Sequence, residues 1–186
     1  LDSGAIEVTS TYNDRGSLTL DHYTISNFDG KARGVVPMQE ILSQSLNTGV
    51  AHIVNEMGKD SFRRYMFHYG LNEETGIDLP NEARNLTENL NSPRDIEYAT
   101  ASFGQGIALT PINMARALSI LPDGYAEQPH VVSAIHARNG LTHTFDYSDV
   151  REQILKPETS EEITRMLVKV FDEALLGGAV KMEHYS

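Results

Sequence analysis

The chain has 186 residues, of which 40% are hydrophobic, so it is long enough for one domain with its own core. Its net charge of -11, from 26 acidic and 15 basic residues, disfavours nucleic-acid binding, because phosphate recognition needs clustered Lys and Arg. The absence of cysteine excludes disulfides and thiolate metal sites, but it does not indicate a compartment. No apolar run in the sequence approaches the roughly 18 residues that a membrane-spanning helix needs.

The first 35 residues are rich in turn formers and β-branched residues. Short alternating runs at Ser17–Leu20 and His22–Ile25 predict loops with one or two short strands. From Pro37 onward the apolar residues recur at helical spacing, with proline suited to a first turn and Gly58 to a stop. The sequence therefore predicts a helix that begins near Pro37 and helical structure that resumes before Gly58.

A second helix is predicted by large apolar residues three and four positions apart, which would form one packed face. These residues are Phe62, Tyr65, Met66 and Tyr69. Asp60 and Ser61 are the candidate caps of this helix, and Gly70 ends it. Residues 71–94 have no sustained period, so they predict a long ordered loop whose acidic residues are solvated.

Two more helices are predicted at Asp95–Ser102 and Thr110–Leu121. Thr110 is the cap of the second one, and Pro111 occupies its first turn. Asp123-Gly124 then predicts a turn. Farther on, two alternating runs flank Asn139-Gly140, which predicts a β-hairpin closed by a tight primed turn.

The last predicted helix covers Glu161–Leu176 and carries an apolar stripe. Thr159 or Ser160 caps it, and Gly177-Gly178 ends it. These elements together predict a mainly helical α+β segment with one hairpin.

Ser45-Leu46-Asn47 is the candidate for chemistry. Ser45 shares an apolar helix face with Ile41 and Leu42, so its hydroxyl is expected to point inward. Residues two apart on an unbroken helix point about 200° apart, so Ser45 and Asn47 can face one cleft only if the helix breaks. Thr48-Gly49 suggests that break. The pair would then offer a hydroxyl that relays a proton and an amide that both donates and accepts.

A Ser-x-Asn tripeptide alone also fits a buried serine followed by a helix-capping asparagine. Its surroundings favour a function, because several longer motifs flank it in order. They are Leu1–Ala5, Gly16–Leu20, Tyr69–Pro80, Ala101–Gly106, Thr110-Pro111, Met114–Ala117 and Pro129–Val132. In this order the chain resembles the transpeptidase domain of class B penicillin-binding proteins over nearly its whole length.

The resemblance implies a serine D,D-transpeptidase that cross-links peptidoglycan. In that family a serine activated by a lysine attacks a D-Ala-D-Ala stem peptide or a β-lactam, while Ser-x-Asn shuttles a proton and holds the substrate amide. Only Ser45 and Asn47 carry over to this sequence, as catalytic residues. The resemblance further implies cell-wall synthesis proteins as partners, no cofactor, and a parent protein that is anchored in the cytoplasmic membrane and works outside it.

The family's Ser-x-x-Lys and Lys-Thr/Ser-Gly motifs are both missing from the sequence. In the family pattern they would lie just before Leu1 and soon after Ser186. We therefore expect 1–186 to be a partial transpeptidase domain, cut at both ends, that includes mainly the helical subdomain of an α/β (α+β) penicillin-binding/β-lactamase-like fold. Such a segment would largely lack the five-stranded sheet and would be inactive alone.

Two alternatives remain open at this point. The chain could be a non-catalytic module that kept the fold and binds peptidoglycan peptide or a division partner, or an unrelated helical interaction domain.

Gly104-Gln105-Gly106 is interpreted as a tight turn between helices, because no βαβ pattern surrounds it. The histidines have no metal-ligand spacing, so we predict no metal.

Overall fold

The computed structural model describes residues 1–147, 151–179 and 181. Its N-terminal part contains two antiparallel ribbons. In them β1 (Thr11–Asp14) pairs with β4 (Gly34–Pro37), and β2 (Ser17–Leu20) pairs with β3 (Tyr23–Ser26). The prediction of one or two strands was too low, because β1 and β4 are stabilised by pairing between distant segments and not by a local pattern.

The helices α1 (Met38–Ser43) and α2 (Asn47–Met57) confirm the helical structure predicted from Pro37 to Gly58. The predicted position of the break between them was wrong. The chain leaves the helix over residues 44–46, and Thr48-Gly49 lies inside the first turn of α2. Backbone hydrogen bonds that close the end of α1 cause this earlier break.

The helix α3 (Lys59–His68) starts directly after Gly58, whose φ is 81°. Asp60 and Ser61 lie within its first turn, so the prediction that they cap it was wrong. Gly58 adopts a left-handed conformation that lets the chain turn sharply between α2 and α3, which leaves no room for a separate cap segment. The aromatic face of α3 packs only partly, since no residue of this helix is fully buried.

The predicted loop at 71–94 is ordered and includes a short 3₁₀ turn at Glu88–Asn91. Its acidic residues do more than contact solvent. The carboxylate of Asp78 accepts hydrogen bonds from the backbone amides of Val131 and Val132, each at 2.8 Å. Asp78 therefore ties this loop to the C-terminal part of the chain.

The helices α4 (Asp95–Ala101) and α5 (Pro111–Ser119) confirm the two predicted helices. Thr110 caps α5 as predicted, because its Oγ1 accepts a hydrogen bond from the amide of Asn113 at 3.2 Å. Gly104 and Gly106, with φ of 82° and 80°, lie in the connection between α4 and α5, which confirms the turn interpretation.

The C-terminal part holds two more antiparallel pairs. They are β5 (Tyr125–Glu127) with β8 (Arg151–Gln153), and the predicted hairpin of β6 (Ala134–His136) with β7 (Thr142–Thr144). The predicted turn type was wrong, because Gly140 has a positive φ of 85° and Asn139 does not. The amide of Gly140 donates to the carbonyl of Ala137 at 3.0 Å, which gives a longer connection with one left-handed glycine.

The last helix, α6 (Pro157–Lys169), begins before the predicted Glu161 because Pro157 occupies its first turn. Thr159 and Ser160 are therefore inside α6, and neither caps it. A widened turn at Val170–Ala174 and a 3₁₀ turn at Leu175–Gly178 follow. Leu175 is already extended and Leu176 has a positive φ of 49°, so the helical backbone ends before the predicted glycine stop.

Apolar clusters lie on two sides of α2. One contains Tyr12, Met38, Ile41, Leu46 and Met166, and another contains Ile25, Ala51, Ile96 and Ala99. Beside the first cluster, an apolar groove of about 380 Å³ opens between α1, α2, α3 and α6; its wall includes Met38, Ile41, Val50, Ile53, Phe62, Tyr65, Met66 and Met166. Within the described ranges, no helix has the length and apolar character needed to cross a membrane.

Candidate active site

Ser45 lies in the turn between α1 and α2, with a left-handed φ of 51°. Its amide donates to the carbonyl of Leu42 at 3.2 Å, and the next amide, that of Leu46, donates to the carbonyl of Ile41 at 2.9 Å. These two bonds form a Schellman motif, whose left-handed position is usually glycine. A residue with a Cβ costs about 1–2 kcal/mol in this conformation, and such costs concentrate at functional sites.

The side chain of Ser45 is exposed, which contradicts the expected inward hydroxyl. The left-handed turn takes Ser45 off the apolar face of α1. Leu46 is buried instead, at 1% exposure, in the same cluster as Ile41. In the part of the chain that the structure describes, no residue hydrogen-bonds to the Ser45 hydroxyl, so this hydroxyl is available to a ligand.

Asn47 is the first residue of α2 and is partly buried. Its side-chain Nδ2 donates to the carbonyl oxygen of Ser26 at 3.0 Å. Leu46, and not Asn47, is the N-cap residue of α2, so the capping interpretation of Asn47 was wrong. The helix does break between Ser45 and Asn47, as the pairing of these side chains requires, and both belong to one short turn that Leu46 anchors.

A polar cluster, consisting of Asp14, Asn27 and Thr48, is buried next to this turn, with exposures of 1%, 4% and 5%. Burial raises the pKa of the Asp14 carboxyl, but hydrogen bonds from the Gly16 amide, Thr48 and Asn27 outweigh it, so the pKa lies below its usual value. Arg33 lies 3.7 Å from Asp14 and acts in the same direction. The sequence analysis missed Asp14 and Asn27, because residues near turns and far from Ser45 along the chain carry no local signal.

Among residues 1–147, 151–179 and 181, no group of three or more His, Cys, Asp or Glu residues is arranged to hold a metal ion. The apolar groove is a separate feature, because neither Ser45 nor Asn47 lines it.

Known proteins resemble this chain in sequence and in fold. A family model described as the penicillin-binding protein transpeptidase domain matches residues 1–182. The chain belongs to this family. The relatives and the fold place it with the class B penicillin-binding transpeptidases, as the resemblance had implied.

Two curated relatives illustrate the similarity. Stage V sporulation protein D of Bacillus subtilis is 26% identical over 164 residues, which cover 87% of this chain and 25% of that protein. The probable peptidoglycan D,D-transpeptidase FtsI of Caulobacter vibrioides is 28% identical over 132 residues, covering 69% of this chain and 21% of that protein. The chain thus spans a quarter or less of the length of these relatives.

A solved structure of penicillin-binding protein 3 from Mycobacterium tuberculosis, complexed with aztreonam, matches with a TM-score of 0.83 and 21% identity. The match covers 95% of this chain and 39% of that one. It confirms the fold class predicted for the family, a mixed helix and strand architecture with small sheets.

Proposed function

We propose that this chain is the central part of a transpeptidase domain that cross-links peptidoglycan stem peptides, and that Ser45 and Asn47 line its substrate cleft. The observation that carries the proposal is the Schellman turn, in which an exposed serine occupies a position that favours glycine. A merely structural turn would be more stable with glycine there. The family match over residues 1–182 supports this reaction.

In the proposed mechanism, a serine outside this sequence attacks the D-Ala-D-Ala carbonyl, and the terminal D-Ala leaves with a proton. A stem-peptide amine then attacks the resulting ester and releases the serine. Ser45 relays protons in these steps, because its hydroxyl can donate and accept. Asn47 gives one N–H to Ser26, which leaves its second N–H and its oxygen for the substrate amide and for a lysine ammonium.

We propose that residues 1–186 lack the Ser-x-x-Lys and Lys-Thr/Ser-Gly segments because these lie elsewhere in a longer parent protein. Two observations support this, the small share of each relative that the chain spans and the open apolar groove. In the parent, further chain would cover the groove. This chain alone then has no nucleophile and is inactive.

The wider setting is also proposed from the relatives. Penicillin-binding protein 3 has been solved with aztreonam and with ampicillin, which supports β-lactams as ligands of the parent. The names of the relatives support peptidoglycan as substrate, and we propose cell-wall synthesis proteins as partners. A membrane anchor outside this sequence would hold the domain on the outer side of the cytoplasmic membrane.

The test uses the complete gene product and labels it covalently with fluorescent penicillin. We expect labelling of the complete protein, none of the 186-residue chain, and an acylation rate about 100-fold lower for Asn47→Ala or Ser45→Ala in the complete protein. The variants should keep their near-ultraviolet circular dichroism. Acylation of both variants at the wild-type rate would refute the assignment of Ser45 and Asn47 to the site.

The second candidate is a non-catalytic module with the same fold, which would also account for the absence of both motifs from this sequence. It predicts that a D-Ala-D-Ala peptide binds to the complete protein without any covalent penicillin adduct. Mass spectrometry after incubation with penicillin separates the two, because an acyl-enzyme adds the mass of the drug.

A further inference from the structure

The polar cluster of Asp14, Asn27 and Thr48 contacts the Ser45 turn through the first residues of α2. The backbone amide of Thr48 donates to Oδ1 of Asn27 at 3.2 Å. The hydroxyl of Thr48 lies 2.8 Å from Oδ1 of Asp14 and 2.9 Å from Oδ1 of Asn27. Because α2 has no side-chain cap of its own, Asn27 satisfies one of its free amides from another element.

The hydrogen bonds through Thr48 are a first route from the cluster to Asn47. A second route, made of backbone hydrogen bonds, connects the same cluster to the side chain of Asn47. Oδ1 of Asp14 accepts from the amide of Gly16 at 2.9 Å, and the carbonyl of Gly16 accepts from the amide of Asn27 at 3.0 Å. That amide belongs to the peptide group whose carbonyl is Ser26 O, the acceptor of Asn47 Nδ2. Fixing this peptide plane therefore fixes the direction in which Ser26 points its oxygen at Asn47.

Neighbouring backbone restrains the second route further. Gly16 has a φ of 77°, and a Cβ placed on it would lie 2.8 Å from backbone atoms of residues 30–32. Nδ2 of Asn27 donates to both carboxylate oxygens of Asp14 at 3.0 Å. The two routes thus start from one buried carboxylate and end on the two sides of Asn47, its backbone and its side-chain amide.

We propose that Asp14 and Asn27 are positioning residues that set the orientation of the Asn47 side-chain amide in the Ser45-Leu46-Asn47 turn. The proposal rests on the proposed function of Asn47 as a substrate-holding group. A buried carboxylate adds little net stability compared with apolar packing, so its value lies in specifying one geometry. Errors of about 1 Å in a positioned group cost up to about 100-fold in rate.

The first experiment measures the Asn47 side-chain amide by nuclear magnetic resonance in the 186-residue chain. Thr48→Val keeps the shape of the side chain and removes its hydroxyl, whereas Thr48→Ser keeps the hydroxyl. Asp14→Asn removes the buried charge, and Asp29→Asn makes the same change at a surface position, where the carboxylate contacts Arg33. We expect the two Hδ2 signals of Asn47 to move toward free-asparagine positions in Thr48→Val and Asp14→Asn only.

The second experiment measures penicillin acylation of the complete gene product with the same variants. We expect the acylation rate constant to fall about tenfold in Thr48→Val and Asp14→Asn, with little change in the binding constant for penicillin. Thr48→Ser should keep the wild-type rate constant, because it keeps the hydroxyl. A merely structural cluster would lower the melting temperature and leave the acylation constant of the folded protein unchanged. That result, or unmoved Asn47 signals in folded Asp14→Asn, would overturn the proposal.

The two readouts separate this proposal from the function on which it rests. If the complete wild-type protein is not acylated, the proposed function fails, and the Asn47 signals still decide whether Asp14 and Asn27 position the amide. If Asp14→Asn does not fold, Asp14→Glu decides in its place, because it keeps the charge and displaces the carboxylate from the Gly16 amide and the Thr48 hydroxyl.

Discussion

The Ser45 turn and the apolar groove lie on neighbouring parts of α1 and α2, yet they differ in how completely the chain builds them. Around the turn, Leu46 is 1% exposed, and the polar cluster accepts hydrogen bonds from the amide and the hydroxyl of Thr48. In the groove, side chains such as Ile53 and Tyr65 border about 380 Å³ of open space. The difference teaches that a chain can fix the backbone geometry of a site fully while part of its apolar surface stays uncovered.

The largest expected effect compares truncations on the two sides. Leu46→Ala should lower the free energy of unfolding by about 3 kcal/mol, because it empties a closed apolar site. Ile53→Ala, in the wall of the groove, should lower it by only about 1 kcal/mol, because that side chain already borders open space. Urea unfolding of both variants measures the contrast, and equal losses would show that the groove is closed in solution.

The next effect concerns the left-handed turn itself. Ser45→Gly should raise the free energy of unfolding by about 1 kcal/mol, because glycine adopts a φ of 51° without steric cost. In the complete protein it should also lower penicillin acylation, since the hydroxyl is lost. Ser45→Ala is the matched control, with the same loss of hydroxyl and no gain in stability. A destabilised glycine variant would argue against the left-handed geometry.

The smallest effect concerns pH at the mouth of the groove. Tyr65 donates to Oδ2 of Asp2 at 2.6 Å, and burial together with this bond raises the pKa of Tyr65 to about 12. A raised pKa stabilises the fold below the unfolded value near 10, and this contribution is lost as the pH rises toward 12. Tyr65→Phe should therefore flatten the fall in unfolding free energy between about pH 10 and pH 12.

The contribution of Asp2 to the free energy of unfolding depends on pH in the opposite direction. Burial raises its pKa, but hydrogen bonds from Tyr65, the Lys156 amide and Thr159 outweigh that effect and lower it. Its contribution is present above about pH 4 and lost as the pH falls further. Urea titrations of Asp2→Asn at about pH 3 and pH 7 test this, and a penalty equal at both values would contradict the assignment.

The sequence predicted the helices well, because the periodicity of α2, α4 and α5 is a local property. It predicted the strands less well, since β1 finds its partner β4 only in the folded chain. At the site, the tripeptide and the need for a break were recognised, but the break was placed too late in the chain and the exposure of Ser45 was not predicted. No glycine marks the Schellman turn, so the sequence pattern continued the helix through a residue that in fact leaves it.

The cap that Asn27 provides to α2 has a consequence for the order of folding. The hydrogen bond from the Thr48 amide to Asn27 joins residues 21 positions apart and forms only when the ribbon of β2 and β3 has docked. Local helix formation can therefore build most of α2 early, while its first turn waits for a long-range contact. The first turn of α2, which bears Asn47, would then become rigid later than the rest of this helix, whereas the local bonds of Ser45 and Leu46 to α1 can form early.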